Sequence, residues 1–203
     1  MKLKKGVFFE YLNLNKFHCL LSLTNTKIIY DYFCLLDIHE KKTLNDIQFY
    51  HFMKHVTTMG KKHIMLTFDM LDWDADGEIG FEEFYMMVCI LLSSEHDVEE
   101  TFICHHFLPV FELLDMDSSK TINLKEFKAS GFLFNLKGSD FKKILNLFDI
   151  TGDECLNLSE FQKFTMMCMD AQKEFKRKRG KLHRLMDICT YFVKEEDELH
   201  LLD

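Results

Sequence analysis

The chain has 203 residues, of which 47% are hydrophobic, so it can bury the core of one compact domain or of two small lobes. Its formal net charge of −8 disfavours nucleic-acid binding and suits a protein that attracts cations. The seven cysteines are scattered without a C-x-x-C pair, which is typical of a reducing compartment and not of a disulfide framework or a zinc site.

The first predicted element is an amphipathic helix over residues 1–24. The opening MKLKKGVFFEYL has the basic-then-apolar order of a secretion signal, but Glu10 and Asn13 interrupt the apolar stretch early and no small-residue cleavage site follows. The chain contains no run of about 18 apolar residues. We therefore expect a soluble, cytosolic protein that does not span a membrane.

The next elements repeat one pattern four times: an apolar-faced helix, a twelve-residue loop, and a second helix that begins with phenylalanine. The loops are 37–48, 72–83, 115–126 and 149–160. Residues one, four, five and eight before each loop share a helix face and are almost all apolar. The spacing predicts an all-α protein with a first lobe at 25–92, a connector at 93–106 and a second lobe at 107–170.

Position eight of every loop is aliphatic, which predicts a short antiparallel bridge within each pair of loops. Leu44 is expected to face Ile79, and Ile122 to face Leu156. Pro109 lies in the helix before the third loop, and the sequence leaves open whether that helix begins afresh there or is kinked.

The loop at 72–83, DWDADGEIGFEE, has the residues of a calcium site. Ca²⁺ takes six to eight oxygen ligands, here from the side chains of Asp72, Asp74, Asp76 and Glu83 and from the Glu78 carbonyl. Gly77 permits the positive φ that folds these ligands around one point.

The two later loops keep most of these ligands, and we expect both to bind Ca²⁺ more weakly, or one of them not at all. Lys120 and Glu154 stand where the glycine belongs, at a cost of about 1 kcal/mol. The predicted ligands are Asp115, Asp117, Ser119, the Thr121 carbonyl and Glu126 in one loop, and Asp149, Thr151, Asp153, the Cys155 carbonyl and Glu160 in the other. The loop at 37–48 has His39, Lys41 and Gln48 at ligand positions, so we interpret it as structural.

Other features leave alternatives open. The methionines of the outgoing helices fit a groove for a partner helix and ordinary core packing equally well: Met86, Met87, Met166, Met167 and Met169. His105 and His106 allow a pH response. In a predicted helical tail at 171–203, a basic stretch precedes an acidic one, and mutual pairing is favoured slightly over binding to lipid or acidic protein. No catalytic triad order, phosphate loop or zinc spacing occurs, so we do not expect an enzyme.

These loops resemble the calmodulin-like EF-hand superfamily. More narrowly, the segments KKTLNDIQFYHF, FDMLDWDADGEIGFEEFYMMVCILL and LFDITGDECLNLSEF are similar to EF-hand proteins that serve as accessory subunits of CatSper, the calcium channel of the sperm flagellum. The resemblance covers most of residues 1–165. It implies a cytoplasmic calcium sensor, responsive to pH, that acts beside CatSper zeta beneath the channel pore.

Three functions are compatible with these residues. The leading hypothesis is a calcium-responsive regulatory subunit. The others are a light-chain-like adaptor bound constitutively to a helical partner, and a calcium buffer.

Overall fold

The computed structural model describes residues 2–15, 18–134 and 138–167, with side chains described from residue 142 onward in the last range. The chain divides into two compact units, Met1–Phe102 and Ile103–Asp203. Met169 and the predicted charged tail at 171–203 lie outside the described residues. Within the described residues, no helix combines the length and apolarity needed to cross a lipid bilayer.

The first unit contains two helix–loop–helix segments. Its elements are α1 (Leu23–Leu36), β1 (Thr43–Asn45), α2 (Asp46–Val56), α3 (Lys61–Leu71), β2 (Glu78–Gly80) and α4 (Phe81–Glu95). Helix α5 (Glu99–His105) follows after a short turn, so the predicted connector at 93–106 is itself largely helical.

The segment before α1 is not the amphipathic helix predicted for residues 1–24. In its described part, helical backbone before α1 is confined to the 3₁₀ helix Phe8–Tyr11. Isolated antiparallel bridges join Leu3 to Thr57 and Leu14 to Leu21. Gly6 has φ 84°, which ends any regular helix at that point. The apolar side chains are therefore buried by a chain that folds back onto α2, with Phe9 fully buried.

The core of the first unit is built from phenylalanines contributed by both hands. Phe49 and Phe84, the residues that directly follow the two loops, are both fully buried. The Phe84 ring centroid lies 5.2 Å from that of Phe33 and 4.8 Å from that of Phe52. Burying such rings contributes about 1.5–3 kcal/mol each, so α1, α2 and α4 are held around one cluster.

The second unit repeats this plan. Its elements are α6 (Phe107–Leu114), β3 (Thr121–Asn123), α7 (Leu124–Ser130), a 3₁₀ helix (Gly131–Phe134), α8 (Gly138–Phe148), β4 (Cys155–Asn157) and a helix over 158–167, α9. Pro109 occupies the first turn of α6, where an N–H has no partner within the helix. The helix therefore begins afresh just before the proline and is not kinked by it.

Each pair of loops is joined by a two-stranded antiparallel bridge in the predicted register. Leu44 faces Ile79, and Ile122 faces Leu156. All four side chains are fully buried. The aliphatic residue at position eight is therefore a core residue that fixes how the two loops of a pair meet.

Candidate metal centres

The loop at 72–83 is folded around its first aspartate. Asp72 accepts hydrogen bonds from the N–H groups of Asp76 (3.1 Å) and Gly77 (2.9 Å). Gly77 has φ 80°, the conformation for which glycine was predicted there. As a result, carboxylate oxygens of Asp72, Asp74 and Asp76 all lie within 4.8 Å of one another. The cluster is mostly exposed, so a cation can reach it from solvent.

Glu83 and Glu78 frame this cluster. Glu83 lies in the first turn of α4 and is half-buried, outside the group of three aspartates. Its Oε2 lies 2.9 Å from where a Cβ on Gly80 would stand, so glycine at position nine leaves room for this carboxylate. Glu78 donates its N–H to Asp76 (2.8 Å), which ties β2 to the aspartate cluster.

The loop at 115–126 gathers a second group of three carboxylates: Asp115, Asp117 and Glu126, within 4.8 Å of one another. The Ser119 N–H donates to both aspartates, at 3.0 Å each. The Lys120 N–H donates to Asp115 (2.8 Å) with φ 66°, so the lysine backbone adopts the conformation normally provided by glycine. The hydroxyl of Ser119 donates to the Thr121 carbonyl (3.2 Å), which brings two further predicted ligands together.

Within this cluster, the pKa values of Glu126 and Asp117 are shifted in opposite directions. Glu126 is 6% exposed and accepts N–H bonds from Asn123 (2.9 Å) and Asp117 (3.3 Å). Burial raises the pKa of Glu126, because the charged form is disfavoured away from water. Hydrogen bonds from Ser119 lower the pKa of Asp117. A cation at this cluster would favour the charged form of Glu126, against the effect of burial.

The loop at 149–160 satisfies its carboxylates with its own donors. Asp149 accepts from Gly152 (2.7 Å) and Glu154 (2.9 Å), and Asp153 accepts from the Cys155 N–H (3.0 Å). Glu160 is 2% exposed and accepts three N–H bonds, from Ile150 (2.9 Å), Thr151 (3.1 Å) and Asn157 (2.9 Å). The Thr151 hydroxyl lies 3.2 Å from both Asp149 and Glu160. In the described residues, this loop does not form a group of three close carboxylates.

The loop at 37–48 keeps the same turn without the ligands. Asp37 accepts N–H bonds from Lys41 (3.1 Å) and Lys42 (2.6 Å), as the first aspartate does in the other loops. Gln48, at position twelve, accepts the Asn45 N–H (3.0 Å) and donates to the Leu36 carbonyl (2.9 Å).

All four loops thus share one turn, and each is flanked by helices and joined to its partner by a bridge at position eight. The chain has the EF-hand fold. It consists of two pairs of hands, as in calmodulin-like proteins, and its all-α prediction is confirmed by the helices that flank every loop.

Two of these EF-hand loops fit a hard divalent cation by their chemistry. The donors at 72–83 and 115–126 are all oxygens, which suits Ca²⁺ and not a thiol- or imidazole-preferring metal. In the loop at 72–83, the cation would be held by the three aspartates together with Glu83 and the Glu78 carbonyl. In the loop at 115–126, it would be held by the three carboxylates together with Ser119 and the Thr121 carbonyl.

Comparison with known proteins adds a distant likeness. No protein-family model matches the chain. Among solved structures, a homologue of programmed cell death 6 protein from Leishmania major Friedlin is 15% identical, covers 76% of this chain and 81% of its own, and has a TM-score of 0.29. A likeness of this size adds nothing to the geometry of the loops, which defines the EF-hand fold by itself.

The methionines and histidines singled out from the sequence differ in burial. Met87 is fully buried in the core of the first unit and Met86 is half-buried, whereas Met166 and Met167 are 56% and 38% exposed on α9. His105 ends α5 on the surface, and His106 precedes α6. Core packing is therefore the observed role of Met87, and a methionine groove stays a prediction for the exposed pair.

One contact was missed from the sequence: the side chain of Glu78 binds Lys41 across the first pair of loops, at 2.8 Å. Lys41 precedes β1, and the bridge register pairs Glu78 with Asn45. The predicted bridge between Leu44 and Ile79 therefore brings the two loops together, but its register alone does not pair Lys41 with Glu78.

Proposed function

We propose that this protein is a calcium sensor that acts as a regulatory subunit of a larger assembly. The observation that carries the proposal is the pair of carboxylate groups at 72–83 and 115–126, each on an intact EF-hand turn. Ca²⁺ would supply a positive charge that these oxygens share.

Glu83 is the residue that would convert binding into a change of shape. It is followed directly by Phe84, whose fully buried ring packs against Phe33 and Phe52. A movement of the Glu83 carboxylate toward the aspartates therefore shifts the start of α4 against the core of the first unit. Such a shift changes which apolar surface a partner helix meets.

The resemblance of residues 1–165 to EF-hand calcium-binding domain-containing protein 9 supports a more specific role. It favours a cytoplasmic accessory subunit of the CatSper channel in the sperm flagellum, in contact with CatSper zeta and with cytoplasmic parts of the channel. His105 and His106 are the residues through which we would seek a response of partner or calcium affinity between about pH 6 and 7.5.

Calorimetric titration of Ca²⁺ into the full chain tests the sensor. We expect Glu83→Gln to remove the tightest binding heat, because position twelve normally provides two oxygens. Glu82→Gln is the matched control, since Glu82 is exposed in the same helical turn. Equal heats from the wild type and the Glu83 variant, or no heat from either, would contradict the proposal.

A constitutive adaptor is the second candidate. It is favoured by the loops at 37–48 and 149–160, neither of which gathers three close carboxylates among the described residues. Co-precipitation of CatSper zeta with and without chelator, combined with a hydrophobic dye, separates the candidates. Retention without any calcium-dependent dye response favours the adaptor, and a dye response favours the sensor. Tight calcium binding with neither partner nor dye response would favour a buffer.

A further inference from the structure

The loop at 37–48, which has His39, Lys41 and Gln48 at ligand positions, contacts the loop at 72–83. The Lys41 ammonium lies 2.8 Å from Oε1 of Glu78, and the Thr43 hydroxyl donates to Oε2 of the same carboxylate. Lys41 and Thr43 occupy positions five and seven of their loop, and Glu78 occupies position seven of the other. Both oxygens of one side chain are therefore held by the opposite hand.

This clamp acts on a residue whose main chain is part of the candidate calcium site. Glu78 is predicted to contribute its carbonyl oxygen, and its N–H already donates to Asp76 (2.8 Å). On the other side, Glu78 is paired with Asn45 in the β1–β2 bridge. The position of Glu78 is thus set jointly by the aspartate cluster, the bridge and the two side chains from the silent loop.

The second unit shows the alternative arrangement at the same positions. There, position five is Ser119, whose hydroxyl bonds within its own loop to the Thr121 carbonyl (3.2 Å). Position seven of the partner loop is Cys155, which has no carboxylate to offer. In the loop at 115–126, the position-five side chain, Ser119, therefore bonds within its own loop. In the loop at 37–48, the position-five side chain, Lys41, bonds to the neighbouring loop instead.

We propose that Lys41 and Thr43 are positioning residues for the loop at 72–83, which hold Glu78 so that its carbonyl is in place before a cation arrives. The inference rests on the proposed calcium site. It assigns a role to the loop at 37–48, because Lys41 and Thr43, which stand at ligand positions of that loop, would order a ligand of the loop at 72–83. Lowering the ordering cost of one ligand strengthens binding.

A purely electrostatic view predicts the opposite result for one variant. Replacing Lys41 by methionine removes a positive charge and leaves Glu78 unneutralised, so Coulomb attraction alone would tighten cation binding. Positioning predicts weaker binding instead. The side chains of Lys41 and Glu78 are 60% and 28% exposed, so either effect is modest and the sign of the change decides.

The experiment is calorimetric Ca²⁺ titration of the full chain carrying Lys41→Met, Thr43→Val or both. We expect the tightest site to weaken by about two- to fivefold in each single variant, and Lys41→Arg to restore it. Lys42→Met is the matched control, because it removes the same charge from the adjacent residue of the loop. Unchanged or tighter binding in Lys41→Met, or weakening equal to that of Lys42→Met, overturns the proposal.

A readout without any cation keeps this test separate from that of the proposed function. In chelator, we expect the Glu78 amide to exchange with solvent about two- to fivefold faster in Lys41→Met than in Lys42→Met. If Ca²⁺ does not bind at all but exchange rises as expected, the calcium function fails and the clamp is supported. Equal exchange rates in the two variants overturn the clamp, whatever the titration shows.

Discussion

At the scale of single residues, position six of the three later loops shows how the turn tolerates a side chain. Gly77, Lys120 and Glu154 all have positive φ, at 80°, 66° and 61°. Each directs its N–H to the first aspartate of its loop, at 2.9, 2.8 and 2.9 Å. A non-glycine residue in this region costs about 1–2 kcal/mol. The aspartate therefore holds the turn in place against the preference of the side chain.

Replacing Lys120 should separate strain from charge. We expect Lys120→Gly to raise the free energy of unfolding of the second unit in chelator by about 1 kcal/mol, because glycine adopts this φ without a Cβ clash. Lys120→Gln removes the charge and keeps the strain, so it should leave that value nearly unchanged while tightening Ca²⁺ binding. Urea unfolding and calorimetry measure the two quantities. Equal stabilities of the two variants would show that the backbone there is not strained.

At the scale of elements, the residue at position twelve can cap the following helix and can bind a cation. In the loop at 37–48 it caps the helix only. Glu126 completes a capping box with Asn123 at the start of α7. Gln48 completes the same box with Asn45 at the start of α2. A glutamine can cap a helix as a glutamate does, but it cannot offer two charged oxygens to a cation. The first hand therefore folds as a hand without a metal.

The bridge between β1 and β2 should contribute to the core of the first unit. Leu44 is fully buried opposite Ile79, so Leu44→Ala leaves a cavity and should lower the free energy of unfolding by about 2–5 kcal/mol. Leu35→Ala is the control, because Leu35 is 76% exposed on α1 and should change stability by less than about 0.5 kcal/mol. Denaturation in chelator measures both. Similar losses would mean that the bridge is not part of the core.

At the scale of the whole molecule, the chain contains two compact units, each with its own bridge, its own phenylalanine core and one group of three clustered carboxylates. Glu83 belongs to the first unit and Glu126 to the second. The two candidate calcium sites therefore share neither a ligand nor a bridge.

Binding at the two sites should be additive. We expect the calcium-binding heat of the double variant Glu83→Gln/Glu126→Gln to equal what the two single variants predict, because sites that share neither a ligand nor a bridge act independently. Titration of all four proteins completes the cycle. A coupling larger than about 0.5 kcal/mol would show that one site alters the other.

The sequence by itself determined the EF-hand fold, and it proposed the residues that would bind calcium. The spacing of the loops predicted four EF-hands. The aliphatic residue at position eight predicted both bridges in the observed register, because a buried position must recur in every repeat. What only the tertiary structure decided depends on contacts between distant residues. The first 24 residues look amphipathic, yet the described part of the segment before α1 folds back onto α2, because Phe9 is buried in contact with Phe52. The salt bridge between Lys41 and Glu78 likewise forms only once the two loops are paired, since the residues lie 37 positions apart.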